Sequence, residues 1–350
     1  MDKVRWFFSL LPEMFPPSAT FTEKDVPDVA GKVRYIYIYC FKCLLIPAQV
    51  FLVTGGSSGL GLELCRILYH RGGRVIVAGR SEQAYNDAVT NIKANPAKDL
   101  KDFPKGSLEF LKLDLNDLTT IKPAAQELLA KVNRLDIAWY NAGVMTPPVG
   151  SKTAQGYELQ WGTNVVAHFL LNRFLSPLQL KTAESAPKGS VRAIWISSSA
   201  HHFGPGPYGI NFDDINYEHA DKKPSPFTTY SQSKVGAILC AYEYATLVSD
   251  KGIVSLSLNP GNLKSNITRN SGFITREVIG RMFLYPPRLG GLTELYAGFA
   301  PEPAANKGCT YVIPWGRIGT PYKDVKIGLE QYDTGKKLWA ILEKETDKYM

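Results

Sequence analysis

The signal for the fold lies in residues 50–61, which read Val50-Phe51-Leu52-Val53-Thr54-Gly55-Gly56-Ser57-Ser58-Gly59-Leu60-Gly61. An apolar run is followed by glycines with the spacing G-x-x-x-G-x-G, and an amphipathic stretch then begins. A turn this tight needs residues without a Cβ, so that a phosphate can approach the backbone closely. The amides at the start of the next helix can bind that phosphate. The stretch therefore predicts a strand, a turn and a helix that hold a dinucleotide pyrophosphate.

Beyond this motif, short apolar runs alternate with longer amphipathic runs. Such alternation predicts an α/β protein with a doubly wound Rossmann fold, in which helices cover both faces of a central parallel sheet. We expect strands at 50–53, 74–78, 108–113, 135–139, 193–196, 254–258 and 310–313, and helices at 60–69, 82–94, 118–132, 157–175 and from about Thr229. No linker divides this region. We therefore expect a lead at 1–49, one Rossmann-type domain at 50–320 and a C-terminal extension with a helix at 321–350.

Residues 33–49 do not fit this pattern. Tyrosines alternate with isoleucines, and a second apolar run follows that Lys42 and Pro47 interrupt. Without this atypical apolar insert, Gly31 and Lys32 would lead directly into the first strand at Val50. Three explanations stay open: an extra strand or surface hairpin, a membrane anchor, or a translated intron. The anchor is less favoured than the hairpin, because the run falls short of the roughly 20 apolar residues that a span needs.

The composition is typical of a soluble globular protein with a substantial core. The chain of 350 residues is 45% hydrophobic and 21% charged, with a formal net charge of +8. Lysines and arginines are scattered, which argues against nucleic-acid binding. The five cysteines form no dense framework, which favours the reducing cytoplasm. Cys40 and Cys43 have the spacing Cys-x-x-Cys, but no second ligand pair follows at zinc-site spacing, so we expect no metal.

Tyr230 and Lys234 form the clearest chemical pair in the chain. They lie one helical turn apart, on the same face of a predicted helix. A phenol with its ordinary pKa of about 10 is a poor base at neutral pH, and a nearby ammonium lowers that pKa by stabilising the phenolate. Such a pair can move a proton to or from a carbonyl oxygen. Together with the glycine run, it indicates hydride transfer between a nicotinamide cofactor and a carbonyl or alcohol.

The order of the motifs resembles that of the short-chain dehydrogenase/reductase family over about residues 50–314. The motifs that carry this resemblance are Thr54 to Gly61, Asn141-Ala142-Gly143, Asn164, Ser198, Tyr230-x-x-x-Lys234 and Asn259-Pro260-Gly261. Each motif is short, but the combination is highly specific. The chain is most similar to the retinol-dehydrogenase-like branch, and its lead at 21–28 is similar to that of fungal members.

The resemblance implies four catalytic residues: Ser198, Tyr230, Lys234 and Asn164. Tyr230 would be the general acid/base, and Lys234 would also reach the ribose hydroxyls of the nicotinamide. Ser198, the second of three consecutive serines, would hold the substrate oxygen near Tyr230, and Asn164 would bind a water in a proton relay to the lysine. The interval from Ser198 to Tyr230 is longer than is usual in the family. We expect this interval to form a loop over the active site, in which His201 and His202 are loop residues rather than ligands.

The second predicted strand ends at Arg80 and lacks the carboxylate that an NAD site usually offers to the ribose hydroxyls. The Arg80 guanidinium could instead pair with a 2′-phosphate, which favours NADP(H) over the alternative of an exposed arginine that opens a helix. By resemblance, Asp114 would contact the adenine, and Asn141 would tie two strands together beside the cofactor. The full set of expected cofactor-binding residues is Thr54, Gly55, Ser57, Ser58, Gly59, Leu60, Gly61, Arg80, Asp114, Leu115, Asn141, Ala142, Gly143, Tyr230, Lys234, Pro260 and Gly261.

We therefore expect an NADP(H)-dependent oxidoreductase that interconverts a carbonyl and an alcohol on a small molecule. The segment between Asn262 and Arg288 carries apolar side chains such as Phe273 and Phe283, and we expect it to form most of an apolar substrate lid. For a protein similar to fungal members, secondary metabolism is one setting for such a reaction. The alternative is a non-catalytic NADP-binding sensor or interaction protein on the same fold. We expect no membrane contact, and the sequence leaves substrate, direction and homo-oligomerisation open.

Overall fold

The computed structural model describes residues 10–27, 29–30, 48–96, 100, 105–264, 284–306 and 308–350, together with the backbone of 32–36 and 42–46. The eight strands of its main sheet are β3 (Val50–Thr54), β4 (Arg74–Gly79), β5 (Ser107–Lys112), β6 (Ile137–Tyr140), β7 (Val191–Ile196), β8 (Ile253–Leu258), β9 (Thr310–Ile313) and β10 (Arg317–Gly319). They lie in the order β10-β9-β8-β7-β6-β3-β4-β5. Neighbouring strands run parallel, except that β10 pairs antiparallel with β9.

Helices cover both faces of this sheet, as the alternating side chains of β3 demonstrate. Val50 and Leu52 lie in one buried cluster, and Phe51 and Val53 lie in a second buried cluster on the opposite face. The α/β fold with a mainly parallel central sheet is therefore confirmed. The helices are α1 (Gly59–His70), α2 (Glu82–Ala94), α3 (Ile121–Lys131), α4 (Ala167–Ala183), α5 (Pro226–Val248), α6 (Pro287–Phe299), α7 (Pro301–Ala305), α8 (Lys323–Gln331) and α9 (Thr334–Thr346).

Two helix predictions were wrong in their bounds, and one short strand was missed. The helix expected at 157–175 is a short turn at Leu159–Trp161, a π-helical turn at Gly162–Val166 and then α4. Helix α5 begins at Pro226 rather than near Thr229, because the Ser225 side chain caps it by accepting a hydrogen bond from the Thr228 amide at 3.1 Å. Strand β10 was not predicted, since its three residues are too few to give a pattern.

The described strands of the apolar insert form a sheet of their own. Strand β1 (Lys32–Ile36) pairs antiparallel with β2 (Lys42–Ile46), and neither belongs to the eight-stranded sheet. One hydrogen bond joins the residues that flank this hairpin, since the amide of Gln49 donates to the carbonyl of Val29 at 3.0 Å. The chain thus leaves the domain and re-enters it at one place, which agrees with the hairpin explanation.

Residues outside 50–320 also contribute to the core. Val26 and Val29 of the lead are 1% exposed and pack in the same cluster as Phe51. Leu338 and Leu342 of α9 are fully buried in the cluster that contains Val50. Boundaries at 49/50 and 320/321 remain a proposal. In the part of the chain that the structure describes, no helix has the length and apolarity needed to span a membrane.

Candidate active site

The glycine loop between β3 and α1 has the geometry of a phosphate cradle. Gly55 and Gly59 adopt positive φ angles of 68° and 55°, which favour glycine. A Cβ on Gly61 would lie 2.6 Å from Asn141 Nδ2, and one on Gly55 would lie 3.0 Å from Ala142 Cα. Ser58 precedes α1 without a side-chain cap, and the first turn of α1 has no acidic residue. A pyrophosphate therefore fits this cradle, since nothing described there competes with it for the first amides of α1.

Hydrogen bonds tie the glycine loop to the end of the adjacent strand β6. Asn141 Nδ2 donates to the Thr54 carbonyl at 2.8 Å, and the Ala142 amide donates to Thr54 Oγ1 at 2.9 Å. Asn141 thus lies where the sequence analysis expected it, between two neighbouring strands. Gly143 follows, and a Cβ there would lie 3.2 Å from Asn164 Oδ1 and 3.7 Å from Lys234 Nζ. The Asn141-Ala142-Gly143 segment therefore links the phosphate cradle to the predicted catalytic residues.

His168 extends this link and was missed by the sequence analysis. Its Nε2 lies 3.0 Å from Thr54 Oγ1, and its Nδ1 lies 3.1 Å from the Asn164 carbonyl oxygen. Burial lowers the pKa of His168 to about 4, so the ring is neutral at physiological pH. Since a carbonyl only accepts, Nδ1 carries the proton and Nε2 accepts from the Thr54 hydroxyl. The sequence offered one signal for His168: it follows Asn164 by four residues, which places both on the same face of a predicted helix.

Asn164 lies in the π-helical turn at Gly162–Val166, a type of turn that is often found at functional sites. Its Oδ1 accepts from the Val144 amide at 2.9 Å, and its Nδ2 donates to the Val144 carbonyl at 3.1 Å and to Ser233 Oγ at 3.0 Å. Ser233 Oγ in turn donates to the Tyr230 carbonyl at 2.7 Å. The Asn164 side chain therefore holds the segment after Gly143 against α5, and its expected contact with water stays a prediction.

Tyr230 and Lys234 are both buried on α5, with Lys234 Nζ 5.5 Å from the centre of the Tyr230 ring. Burial raises the pKa of Tyr230 to about 12, although a hydrogen bond with the Ser198 side chain acts in the opposite direction. Burial also lowers the pKa of Lys234 to about 8. The ammonium was expected to lower the pKa of Tyr230, but this pKa is raised because burial removes the phenol from water. At neutral pH Tyr230 is therefore protonated and can act as a proton donor.

The three consecutive serines after β7 make different contacts. Ser197 is buried, and its hydroxyl donates to the Lys234 carbonyl at 2.8 Å. Ser198 is half-buried and caps the 3-10 helix Ser199–Phe203 by accepting from the Ala200 amide at 3.2 Å. Ser199 Oγ lies 3.4 Å from Asn262 Oδ1. Of the three, Ser198 is the one whose side chain lowers the pKa of Tyr230.

His201 and His202 are not loop residues as expected. They lie in the 3-10 helix that follows Ser198, and both are buried, at 0% and 6% exposure. His202 Nε2 lies 3.1 Å from the carboxylate of Glu13 in the N-terminal lead. The long interval before Tyr230 therefore begins as a packed element. Its proline and glycine content suggested an open loop, whereas burial of the two imidazoles fixes its first turn.

The residues expected near the adenosine half of the cofactor follow β4 and β5. Arg80 is exposed and makes no hydrogen bond or ion pair with any residue that the structure describes. Asp114 is half-buried, and its Oδ1 accepts from the Asn116 amide at 3.0 Å, while Leu115 is 6% exposed. In the glycine loop, Ser57 and Leu60 are half-buried. All of these residues lie at the carboxyl ends of parallel strands, where ligands bind in doubly wound sheets.

Pro260 and Gly261 follow β8 at the other side of the site. Gly261 has a φ of 95°, and its amide donates to Asn259 Oδ1 at 3.0 Å. A Cβ on Gly261 would lie 2.5 Å from the Trp315 ring, so this turn requires glycine. The Tyr285 ring packs edge-on against Trp315, with centroids 5.0 Å apart. Most of the predicted lid, including Phe273, Ile274, Met282 and Phe283, lies outside the described residues.

The fold and this cluster define a Rossmann-type protein in which a glycine-rich turn and a buried tyrosine and lysine pair share one edge of the sheet. A sequence profile described as short chain dehydrogenase matches residues 49–207. The chain is 37% identical over 347 residues to a short-chain dehydrogenase/reductase of Phomopsis amygdali, a match that covers 97% of this chain and 96% of the relative. It is 36% identical over 339 residues to the short-chain dehydrogenase/reductase pkfC of Emericella nidulans, covering 96% and 98%.

Solved structures give the same assignment of fold. An uncharacterized protein from Mycobacterium paratuberculosis is similar with a TM-score of 0.65 and 24% identity, over 94% of this chain and 98% of that one. A Pseudomonas aeruginosa RhlG/NADP active-site complex is similar with a TM-score of 0.58 and 22% identity, over 77% and 95%. The chain belongs to the short-chain dehydrogenase/reductase family, which comprises oxidoreductases that bind a nicotinamide cofactor. Its predicted similarity to fungal members is also confirmed.

Proposed function

We propose that this chain is an NADP(H)-dependent reductase of a ketone or aldehyde on a small, apolar molecule. The observation that carries the proposal is the burial of Tyr230 on α5 with Lys234 Nζ 5.5 Å from the centre of its ring, beside Ser198, whose side chain lowers the pKa of the phenol. A protein that only bound the cofactor would not need these three groups together. Family membership supports an oxidoreductase, and the intact cluster favours catalysis over the alternative of a sensor on the same fold.

The residues have distinct roles in this proposal. Ser198 orients the substrate carbonyl by a hydrogen bond to its oxygen, and Tyr230 delivers its phenolic proton to that oxygen. When bound, the cofactor supplies a hydride to the carbonyl carbon. Lys234 holds the ribose hydroxyls, and its charge stabilises the phenolate that Tyr230 becomes. Asn164 binds a water in a proton relay to Lys234, and His168 is a positioning residue because it connects the Asn164 carbonyl to Thr54 at the phosphate cradle.

The choice of NADP(H) rests on Arg80. This guanidinium is exposed at the end of β4, where a 2′-phosphate would lie, and no described carboxylate neutralises it. A solved structure of similar fold is an NADP complex, which lends further support. We propose a cytoplasmic location, because the cysteines at 65, 240 and 309 are free thiols. A role in fungal secondary metabolism is in keeping with the fungal relatives.

The test is turnover of NADPH and NADH by the purified chain with a panel of ketones and aldehydes of increasing apolar size. We expect carbonyl-dependent oxidation of NADPH, with higher kcat/KM than for NADH, and best activity on apolar carbonyls. Binding of NADPH without turnover of any member of the panel would favour the sensor instead.

A further inference from the structure

Glu13 of the N-terminal lead is a buried carboxylate at the substrate end of the sheet. It is 4% exposed. Its Oε1 lies 3.1 Å from His202 Nε2, and its Oε2 accepts from Asn259 Nδ2 at 2.7 Å and from the Tyr311 hydroxyl at 3.5 Å. Burial raises the pKa of Glu13, but the hydrogen bonds from His202 and Asn259 contribute to a net lowering. Glu13 is therefore a buried carboxylate whose two oxygens both have hydrogen-bond partners.

Two of these partners belong to loops that carry proposed site residues. His202 lies in the 3-10 helix that Ser198 caps, and the neighbouring His201 Nδ1 donates to the Ser198 carbonyl at 2.7 Å. Asn259 uses its other amide atom, Oδ1, to accept from the Gly261 amide at 3.0 Å. One carboxylate therefore joins the loop after β7, which places the substrate, to the loop after β8, which lies beside the cofactor site.

The residues on either side of Glu13 make similar contacts. The Pro12 carbonyl accepts from the Arg317 guanidinium at 2.7 Å, and the Met14 carbonyl accepts from the Tyr285 hydroxyl at 3.3 Å. Arg317 begins β10, directly after the loop that follows β9, and Tyr285 forms an isolated parallel bridge with Leu263. The short segment at 12–14 thus contacts the loops after β7 and β8, the start of β10 and Tyr285.

A metal site is the obvious alternative, since ligand atoms of Glu13, His201 and His202 lie within 4.8 Å of one another. His201 excludes it. Its Nδ1 is bonded to the Ser198 carbonyl, and its Nε2 accepts from the Tyr322 amide at 2.9 Å, so neither ring nitrogen has a lone pair for a metal. Burial lowers the pKa of His201 to about 4, which agrees with a neutral ring held by these two bonds. The cluster is a hydrogen-bond network.

We propose that Glu13 is a positioning residue that fixes the Ser198 loop and the Asn259-Pro260-Gly261 loop relative to each other, so that the N-terminal lead completes the active site. This rests on the function proposed above. Glu13 touches neither substrate nor cofactor. Its contribution is to hold the two loops at the spacing that hydride transfer requires, because a misplacement of about 1 Å at such a site can lower the rate about 100-fold.

The test is Glu13→Gln, which keeps the shape of the side chain but cannot accept hydrogen bonds with both ends. We expect kcat to fall at least tenfold and the Kd for NADPH, measured by its fluorescence, to rise several-fold. The matched control is Glu109→Gln, which removes the ion pair with Arg74 near the opposite ends of the strands and should leave both values within twofold. A Glu13→Gln variant that also stays within twofold of the unmodified chain in both readouts overturns the proposal.

A second variant, His202→Phe, keeps a ring at this position but removes the hydrogen bond from His202 Nε2 to Glu13, and it should give the same changes in smaller measure. In the double variant the losses should not add, since both act on one network. If both single variants fail to fold, the proposal is wrong, because Glu13 is then needed for the fold rather than for the site. If the unmodified chain turns over no carbonyl, the proposed function fails, whereas the change in NADPH affinity still tests the role of Glu13.

Discussion

Lys234 Nζ donates a hydrogen bond to the Ile196 carbonyl at 3.0 Å while lying 5.5 Å from the centre of the Tyr230 ring. The lysine is thus held beside the phenol by the end of β7. In the part of the chain that the structure describes, no carboxylate pairs with it. Its positive charge is therefore available to the ribose hydroxyls and to a developing phenolate, and it is lost when the buried amine gives up its proton.

This arrangement predicts how reduction depends on pH. Burial lowers the pKa of Lys234 from 10.5 to about 8, so the charged form decreases as the pH rises through 8. Because the charge is needed, kcat/KM for NADPH should be constant below that pH and fall above it. Tyr230, with its pKa raised to about 12, remains protonated throughout. A profile that stays flat from pH 7 to about 10 would contradict this role of Lys234, and Lys234→Arg, which stays charged, should move any fall to higher pH.

Arg80→Asp should shift cofactor preference from NADP(H) towards NAD(H). The change removes the proposed partner of the 2′-phosphate and supplies an acceptor for the ribose hydroxyls. The measurement is the ratio of kcat/KM for NADPH to that for NADH, which we expect to fall at least tenfold. The control is Arg134→Asp, a change at the opposite end of β6 from the site. An unchanged ratio in Arg80→Asp would mean that Arg80 does not bind the phosphate.

Glu294→Gln should stabilise the protein increasingly as the pH rises. Glu294 of α6 is fully buried, neither carboxylate oxygen has a hydrogen-bond partner among the described residues, and burial raises its pKa well above 4.5. Above pH 4.5 the unfolded chain loses this proton and the folded protein keeps it. Stability therefore falls by about 1.4 kcal/mol per pH unit, up to the pKa of the folded state.

The glutamine stays neutral, so it removes this slope. The gain in Tm of Glu294→Gln over the unmodified chain should be small at pH 5 and clearly larger at pH 8. Glu302→Gln, at an exposed position just beyond α6, is the control and should give no such trend. A gain that is equal at both pH values would show that Glu294 is ionised in the folded protein.

Deletion of residues 33–49 should preserve or restore activity and improve solubility. The hydrogen bond between Gln49 and Val29 closes the insert at its base, and in the shortened chain Lys32 would take the place of Gln49 before β3. Alternating tyrosines and isoleucines are an aggregation-prone pattern when exposed. The soluble fraction and NADPH turnover of the two chains give the comparison. Loss of folding on deletion, together with a mature transcript that encodes the segment, would defeat the intron hypothesis.

The local motifs were predictable because each depends on neighbouring residues. The strand, turn and helix at 50–61 and the Tyr230 and Lys234 pair are both set by short spacing along the chain. Helix α6 was not predicted. It is buried along most of its length, including Gly290, Gly291 and Glu294, so it lacks the polar face that gives an amphipathic period.

The contacts that the sequence could not reveal join distant parts of the chain. Glu13 and Asn259 are 246 residues apart, and Thr54 and His168 are 114 apart. No spacing rule predicts such pairs, since they depend on how strand ends meet at one edge of the sheet. The pKa of Tyr230 was predicted to be lowered by Lys234 but is raised. Its value depends on burial of the phenol, which tertiary packing determines.

The most direct test of the proposed mechanism is NADPH oxidation by Tyr230→Phe with the carbonyl substrate of the panel that the unmodified chain turns over fastest. The variant keeps the ring and loses only the hydroxyl, so NADPH affinity should stay within about threefold of the unmodified chain while kcat falls at least 1,000-fold. Cofactor affinity, measured by fluorescence, is the control for folding. Near-normal turnover by Tyr230→Phe would contradict the proposal that this phenol supplies the proton.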